Sequence, residues 1–555
     1  MKGALSPFRY TLAPNPSEWL MSRTESRARA RSPLEQEVAR GYHLLVQGRI
    51  DEAVELGDRL AATHADNAHV LVFAADAGLA NDDPPAALEM LDRAITASQG
   101  NPFLKIKRAR LLVQKMRRRA GVRALAAEVA AQADGNGHLY WQLGDLCYKT
   151  NLQADAIRYF EKAHALVGDH PGLLYDMAVA RFFSGDPERA ELDLDRTISV
   201  APQAAQALYL RATLRRQTQE RNHVEDIERR LREGFRRADD EASALYALSK
   251  ELGDLDRHEE SFAALAAGAA KKRATLRYDV ADECAAMQAI CDAYDAEAMA
   301  APCAGHDEEG AIFIVGMPRS GTTLAERLLV QSGVVTSAGE LSDIANLVRM
   351  AAQQALEDEP ALVPAAASLK ADFAALGREY MRGAREGAGG SPVFIDKMTL
   401  NFLYCGMIRK ALPKAKIIHL VRDPLDSCYA VFKTLLFNAY HYSYDLDDLA
   451  RYYITYHQVM RHWHEVMPGQ ILDVRYEDLV TDTENQSRRM YDWCGLDWNP
   501  AALEIPEGKT VFASASAAQV REPVHNRSIH SSRRYREQLA PLVARLSAAG
   551  IPVPG

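Results

Sequence analysis

The sequence has little of what a disulfide framework, a membrane span or a nucleic-acid surface requires. Its seven cysteines are odd in number, widely scattered and without a C-x-x-C pair, which favours reduced thiols over disulfide bonds or a zinc site. No segment approaches the ~18 consecutive apolar residues of a membrane helix, and the N-terminus does not resemble a signal peptide. A formal net charge of -9 gives no global attraction to nucleic acid. We therefore expect a cytoplasmic protein.

The first half of the 555-residue chain repeats itself, and the chain is too long for a single domain. A small residue precedes an apolar helical pattern five times, at steps of 33, 34, 36 and 34 residues. This period predicts helical hairpins that stack as a solenoid, with the small residue where two helices cross closely. The five positions are Ala53, Ala86, Ala120, Ala156 and Ala190.

The repeats divide the chain into four predicted parts. Residues 1–35 are interpreted as a flexible tail, residues 36–275 resemble the tetratricopeptide repeat family, residues 276–308 are a helical linker, and residues 309–555 form an α/β domain. Such repeats present a concave surface to a peptide or protein partner, or they only stack and dimerise, and the residues favour neither alternative. The expected partners therefore include a protein or a second copy, but no nucleic acid.

The α/β domain is indicated by short, continuous apolar runs that alternate with helical patterns. Runs of this kind are typical of strands that are buried on both faces of a parallel sheet. Because ligands bind at the carboxyl ends of such strands, the loop that follows the first run is the candidate site. The runs lie at residues 311–315, 392–395, 416–421 and 471–474.

The loop from Gly316 to Thr323 reads GMPRSGTT. Its glycines permit a tight turn, and the start of the following helix offers N–H groups and hydroxyls to a phosphate-like anion. A nucleotide-binding P-loop would carry a lysine where Thr322 stands, and Arg319 is the only cation inside this loop. No acidic residue ends a strand as a clear magnesium ligand. The loop therefore predicts anion binding but disfavours a kinase.

The segment VGMPRSGTTL resembles the 5′-phosphosulfate loop of sulfotransferases, above all of the tyrosylprotein branch and of bacterial repeat-containing members. Three further matches follow in order. SAGELSDI carries Glu340 where the family has its catalytic glutamate, and FIDKMTL carries Lys397 where it has a catalytic lysine. IIHLVRDP carries Arg422 where the family binds a 3′-phosphate. The resemblance implies an all-α repeat solenoid followed by a P-loop-like sulfotransferase domain with a central parallel sheet.

The resemblance also implies a set of residues that bind 3′-phosphoadenosine 5′-phosphosulfate as co-substrate. Arg521 and Arg533 compete with Arg527 for its 3′-phosphate, and Ala430 stands where the family commonly has a serine, with Ser427 three residues earlier. The expected set is Pro318, Arg319, Ser320, Gly321, Thr322, Thr323, Arg422, Ser516 and Arg527.

The implied reaction is an in-line transfer of a sulfuryl group to a hydroxyl. Glu340 would remove the acceptor proton, while Lys397 and Arg319 would stabilise charge on the leaving side. A singly charged sulfuryl group needs no metal, so none is expected. A peptide tyrosine is one candidate acceptor. Two alternatives stay open: a repeat-based interaction scaffold with an inactive sulfotransferase-like domain, and, second to it, a nucleotide kinase.

Two further sequence features bear on the site. His457, His462 and His464 lack the i, i+4 spacing of a helical metal pair and have no cysteine or acid at ligand spacing, so no metal site is expected there. The aromatic stretch at residues 437–453 either packs in the core or lines the acceptor pocket.

Overall fold

Helical hairpins occupy the first part of the chain. The computed structural model describes residues 32–114, 121–133, 135–437, 439–504 and 524–554, which fall into two compact units that divide after Ser184. The first unit has nine described helices: α1 Pro33–Val46, α2 Ile50–Thr63, α3 Ala68–Ala80, α4 Pro84–Ala97, α5 Pro102–Gln114, α6 Val122–Ala131, α7 Gly137–Lys149, α8 Gln153–Val167 and α9 Pro171–Phe183.

The helix starts follow local capping chemistry. Ser32 and Glu35 form a reciprocal capping box at α1, and Asn67 accepts hydrogen bonds from the first turn of α3. The α4 helix begins with Pro84 directly after the capping side chain of Asp83. Between the capped ends, apolar stripes on neighbouring helices pack into successive core clusters along the array.

The crossing positions of the repeats agree with the sequence period, with one correction. Ala53, Ala156 and Ala190 are fully buried, and each is the fourth residue of its helix. In α4 the fourth residue is Ala87, which is also fully buried, whereas the predicted Ala86 is exposed. The step from 53 to 87 is then 34, the same as from 156 to 190. The predicted position at residue 120 lies outside the described residues.

The second unit continues the helical array and then changes to a sheet with helices around it. Its first seven helices are α10 Pro187–Val200, α11 Ala205–Thr213, α12 Val224–Glu233, α13 Ala238–Asp254, α14 His258–Ala274, α15 Val280–Ala293 and α16 Ala296–Ala300. The helices that follow are α17 Thr322–Val330, α18 Asp343–Asp358, α19 Pro364–Ser368, α20 Phe373–Gly387, α21 Cys405–Ala411, α22 Pro424–Phe432, α23 Leu446–Val466, α24 Tyr476–Thr481, α25 Thr483–Cys494 and α26 Ala540–Ala548.

Five parallel strands form the central sheet, in the order β2-β3-β1-β4-β5. The apolar runs of the sequence correspond to four of these strands, and the fifth, β2, lies at an edge of the sheet. Since all the strands run in one direction, their carboxyl ends meet at one edge. The strands are β1 Ala311–Gly316, β2 Val335–Gly339, β3 Val393–Asp396, β4 Lys416–Val421 and β5 Ile471–Arg475.

The predicted architecture is confirmed: helical hairpins precede a domain with a central parallel sheet of five strands. The predicted start of the repeats, residue 36, lies within α1, and the tail before residue 32 lies outside the described residues. None of the described helices is both long and apolar enough to cross a membrane.

Candidate active site

The loop between β1 and α17 has a backbone that ordinary side chains would not tolerate. Gly316 has a φ of +145°, and a Cβ there would lie 2.7 Å from the carbonyl oxygen of Leu420. Gly321 has a φ of +100°, and a Cβ there would lie 2.4 Å from the ring of Tyr476. Arg319 also adopts a positive φ, of +66°. The loop is therefore held tightly between β4 and Tyr476.

The start of α17 forms the floor of the loop. Because the first N–H groups of a helix have no partner within it, those of α17 face the loop with the positive end of the helix dipole. Thr322 and Thr323 are both buried, and so are Pro318 and Ser320. Five of the predicted binding positions, these four and Gly321, therefore lie together in the loop and the first turn of α17.

Glu340 and Lys397 come together from two neighbouring strands. Glu340 directly follows β2 and Lys397 directly follows β3, whose backbones are linked there by a 2.9 Å hydrogen bond from Lys397 N–H to Gly339 O. Lys397 Nζ lies 2.5 Å from Glu340 Oε1. The lysine is almost fully buried, whereas the glutamate side chain is 25% exposed. One face of this ion pair is thus open to a reactant.

The electrostatics around Lys397 favour its charged form. Burial alone would lower its pKa, but the carboxylates of Glu340 and Glu326 outweigh that effect and hold the pKa above its ordinary value. Glu326 lies on α17, is buried, and is hydrogen-bonded to Ser337 of β2. Burial raises the pKa of Glu326. Sequence reasoning missed this second carboxylate because nothing in its helical pattern distinguishes it from a surface glutamate.

Arg422 follows β4 and holds two other segments in place. Its Nη1 donates to the carbonyl oxygen of Arg319 at 2.9 Å, and its Nη2 donates to that of Ser528 at 2.6 Å. Its guanidinium also lies 4.8 Å from the ring centre of Tyr476. Arg422, the residue predicted for a 3′-phosphate, therefore connects the loop at residues 316–323, called the anion loop below, to residues 524–535, called the C-terminal segment.

Asp426 anchors that C-terminal segment from the other side. It is fully buried in the first turn of α22 and accepts hydrogen bonds from the backbone N–H groups of His530 and Ser532, at 2.5 and 2.8 Å. The hydroxyl of Ser531 lies 3.4 Å from its Oδ1. In the sequence, Asp426 stands out only as an alternative ion partner for Arg422, because the segment it binds lies about one hundred residues away.

Positive charge concentrates around the loop. Burial lowers the pKa of Arg319, and Arg422 lowers it further. Lys433 is exposed, yet its pKa is lowered to about 8 by desolvation and then by Arg422 and Arg319, with Arg534 adding to the effect. The exposure of Lys433 and its lowered pKa are both explained if water reaches the ammonium group while protein atoms also surround it. Four cations thus gather where an anion would reduce their mutual repulsion.

The remaining predicted residues are less informative. Ser516 and Arg521 lie outside the described residues. Arg527 and Arg533 are exposed in the C-terminal segment, close in sequence to Ser528. Ala430 and Ser427 are both buried on α22.

The histidines of α23 take part in local contacts. His462 lies 2.9 Å from the carbonyl oxygen of Tyr294. His464 Nε2 and His419 Nδ1 lie 3.1 and 2.8 Å from the same oxygen of Asp473. Burial would raise the pKa of Asp473, but these two hydrogen bonds outweigh it and hold the pKa below its ordinary range. The cluster is therefore accounted for by its own hydrogen bonds.

Residues 311–500 match the sequence model of the sulfotransferase family. An uncharacterised protein of Aquifex aeolicus (strain VF5) is 30% identical over 312 residues, which are 54% of this chain and 41% of that protein. The protein-tyrosine sulfotransferase of Drosophila melanogaster is 24% identical over 216 residues, which are 35% of this chain and 40% of that protein. The chain thus spans about two fifths of the length of these curated relatives.

Two solved structures are similar to portions of this chain. The sulfotransferase domain of the Synechococcus PCC 7002 olefin synthase aligns with 44% of this chain and 97% of its own, at 21% identity and a TM-score of 0.32. A tetratricopeptide repeat protein of Thermus thermophilus aligns with 33% of this chain and 98% of its own, at 17% identity and a TM-score of 0.27.

Proposed function

On the premise that residues 311–500 form a sulfotransferase-family domain, we propose that the protein transfers a sulfuryl group from 3′-phosphoadenosine 5′-phosphosulfate to a hydroxyl acceptor. The observation that carries this proposal is the contact between Glu340 and Lys397, which have one open face beside a phosphate-type loop. An acid, a base and an anion site are the groups that this displacement requires.

The residues of the loop suit the phosphosulfate end of the donor. The helix start, two buried threonines and Arg319 supply donors for a negatively charged group. The hydroxyl of Ser320 is buried and has no hydrogen-bond partner among the described residues, so it is available to an oxygen of the donor. The cations around Arg422, with Lys433 and Arg534, suit the 3′-phosphate, together with Arg527 and, outside the described residues, Ser516.

The proposed chemistry assigns one task to each side chain. Glu340 accepts the proton of the acceptor hydroxyl as that oxygen forms its bond to sulfur. The bond between sulfur and the bridging phosphate oxygen breaks with its electron pair left on the phosphate. Lys397, Arg319 and the loop N–H groups stabilise that charge. Sulfated acceptor and 3′-phosphoadenosine 5′-phosphate are the products. We propose no metal ion in this step.

Two assignments rest on the resemblance alone. A peptide tyrosine is the proposed acceptor, and the helical repeats are proposed to bind that protein, another partner or a second copy. An inactive scaffold is disfavoured by the presence of both Glu340 and Lys397 in contact. A kinase is disfavoured by Thr322 at the position of the P-loop lysine.

Calorimetry with 3′-phosphoadenosine 5′-phosphate tests the donor site. We expect the wild-type protein to bind this nucleotide without added metal. Arg319→Ala should weaken binding by at least tenfold, because a hydrogen bond to a charged group contributes about 1.5–3 kcal/mol. Arg382→Ala, which removes an exposed arginine of α20 paired with Glu379, is the matched control and should bind as the wild type does.

Two results would argue against this assignment. A wild-type protein that does not bind the nucleotide would refute the sulfotransferase proposal. Binding of ATP that depends on magnesium would instead support the kinase alternative.

The affinity for the same nucleotide should also depend on pH through Lys433. The lysine is charged below its pKa of about 8 and loses its proton as the pH rises through that value, so binding should weaken between pH 7 and 9. The 3′-phosphate, with a second pKa near 6, stays doubly charged over this range. For an accessible ion pair the change should be roughly two- to fivefold. Lys433→Met should bind more weakly at pH 7 and lose this pH dependence; an unchanged profile would exclude Lys433 from the anion site.

A further inference from the structure

Two aromatic residues after α22 have an unusual backbone. Phe437 and Tyr440 both have a φ of +53°, a left-handed conformation that side chains with a Cβ rarely adopt. Each such residue costs on the order of 1–3 kcal/mol and persists only where the surrounding structure determines it. Neither position is a glycine, so contacts from the surrounding structure must hold this backbone.

Tyr440 lies beside the reactive pair. Its hydroxyl is 3.1 Å from Oγ1 of Thr399, which is two residues beyond Lys397. Burial raises the pKa of Tyr440 to about 12, with the carboxylate of Glu340 adding to the effect. Of the three tyrosines at positions 440, 442 and 444, only Tyr440 is partly exposed. Tyr440 therefore lies close to the pair, and part of its side chain is exposed.

Two helices of the repeat array hold residues 432–437, which precede Tyr440. The hydroxyl of Tyr209 on α11 accepts a 3.0 Å hydrogen bond from the backbone N–H of Leu435, and its ring contacts Phe437 edge to face at 6.0 Å. The hydroxyl of Tyr246 on α13 donates a 3.1 Å hydrogen bond to the carbonyl oxygen of Phe432. Both tyrosines are buried, so these bonds are shielded from water.

One of these helices, α11, also lies near the anion loop. The charge of Arg319 acts on the hydroxyl of Tyr209, which places α11 next to the loop as well as next to residues 432–437. On α14, the ring of Phe262 lies 6.3 Å from Phe432 and 5.4 Å from Tyr535 in the C-terminal segment. The end of the repeat array is therefore built into the same unit as the reactive groups.

We infer that Tyr440 is a specificity-determining residue that offers its ring to a phenolic acceptor beside Glu340, and that Tyr209 and Tyr246 of the repeats position it. This inference rests on the proposed sulfotransferase function and names the residues that would receive its phenolic acceptor. A flat ring next to the base favours an aromatic hydroxyl, because stacking adds to the apolar area that the acceptor buries. The last repeats are then part of the acceptor site and more than a stacked scaffold.

The experiment separates the acceptor from the donor. Sulfate transfer from labelled donor is measured with 4-methylphenol and with a short tyrosine-containing peptide, while calorimetry follows binding of 3′-phosphoadenosine 5′-phosphate. Tyr440→Leu should raise the KM for both phenols at least fivefold, with nucleotide affinity within twofold of the wild type. Tyr209→Phe removes only the hydroxyl and should raise the same KM by about threefold, with little change in kcat.

A matched control and a second measurement keep the inference testable. Tyr42→Phe removes a tyrosine hydroxyl that donates to Asp76 in the first unit, and it should leave the KM unchanged. Hydrogen exchange should show faster exchange of the Leu435 amide in Tyr209→Phe but not in Tyr42→Phe. This measurement requires no acceptor.

Different negative results would overturn different parts of the inference. A wild-type protein that binds the nucleotide but sulfates neither phenol overturns the phenol assignment. Wild-type KM values in Tyr440→Leu, or an unchanged Leu435 amide in Tyr209→Phe, overturn the positioning. A wild-type protein that does not bind the nucleotide refutes the proposed function itself.

Discussion

Replacing Glu340 with glutamine is expected to reduce turnover by about 10²- to 10⁴-fold, the usual contribution of a positioned general base. Glutamine keeps the size of the side chain and an oxygen that can face Lys397 Nζ, now 2.5 Å from the glutamate. It cannot take up the acceptor proton. Because the nucleotide is proposed to contact the loop and the cations around it, its affinity should change by less than about threefold, well under the tenfold that 1.4 kcal/mol represents.

Steady-state transfer of labelled sulfate and calorimetry together check this expectation. Glu484→Gln, which alters an exposed carboxylate on α25 that pairs with Arg488, serves as the control and should retain full turnover. If Glu340→Gln turned over at the wild-type rate, Glu340 would not be the base. If it lost nucleotide binding to the same extent as turnover, the defect would lie in the donor site.

Replacing Lys397 with methionine should be nearly as damaging to turnover. The ammonium is proposed to stabilise charge on the leaving phosphate, and removal of one such donor typically costs about 10²- to 10³-fold in kcat. Methionine fills the same buried space without charge. Glu340 would then lack its cation, so proton transfer to Glu340 would also change. The loss of activity in Lys397→Met should therefore not be additive with the loss in Glu340→Gln.

Lys397→Met should also lower the stability of the fold. Removing one partner of a fully buried ion pair costs about 3–5 kcal/mol, and the partial exposure of Glu340 should reduce this to about 1–3 kcal/mol. Since the pKa of Lys397 is raised in the folded protein, its contribution is complete at neutral pH and is lost only at alkaline pH, as the solution passes through the folded-state pKa.

Thermal unfolding and activity, measured on the same samples, distinguish the two effects. Lys414→Met removes an exposed lysine that pairs with Glu309, and it should change neither Tm nor turnover. A folded Lys397→Met protein with wild-type kcat would exclude the lysine from the chemical step. A loss of activity that disappears at temperatures where the variant is fully folded would assign it to stability alone.

Local patterns predicted most of the strands and the anion loop. Four apolar runs correspond to β1, β3, β4 and β5. The first three strands are buried along nearly their whole length, which requires apolar residues, whereas β5 is an edge strand with alternating burial. The edge strand β2 was not predicted, since its five residues are only partly buried and carry no apolar run. The repeat period was found with one position displaced, Ala86 for the buried Ala87, because adjacent alanines look alike in sequence and only helix packing separates them.

The candidate site likewise contains residues that sequence motifs selected and residues that only the structure revealed. The carboxyl ends of β2 and β3 bring together Glu340 and Lys397, two residues that sequence motifs alone select. Their catalytic roles stay predictions, as do those of the loop residues and Arg422. Lys433 and Asp426 were missed, because a lysine near a pKa of 8 and a buried aspartate acquire their properties from groups far away in the chain.

By itself, the amino-acid sequence determined the repeat period, the parallel α/β domain, the anion loop and the resemblance to sulfotransferases. These follow from spacing and residue type, which act over a few residues. Only the tertiary structure decided that Arg422 ties the loop to Ser528 and that Tyr209 of the repeats holds the segment leading to Tyr440. Contacts between residues 103 to 226 positions apart depend on how helices and strands pack, and no local pattern encodes that packing.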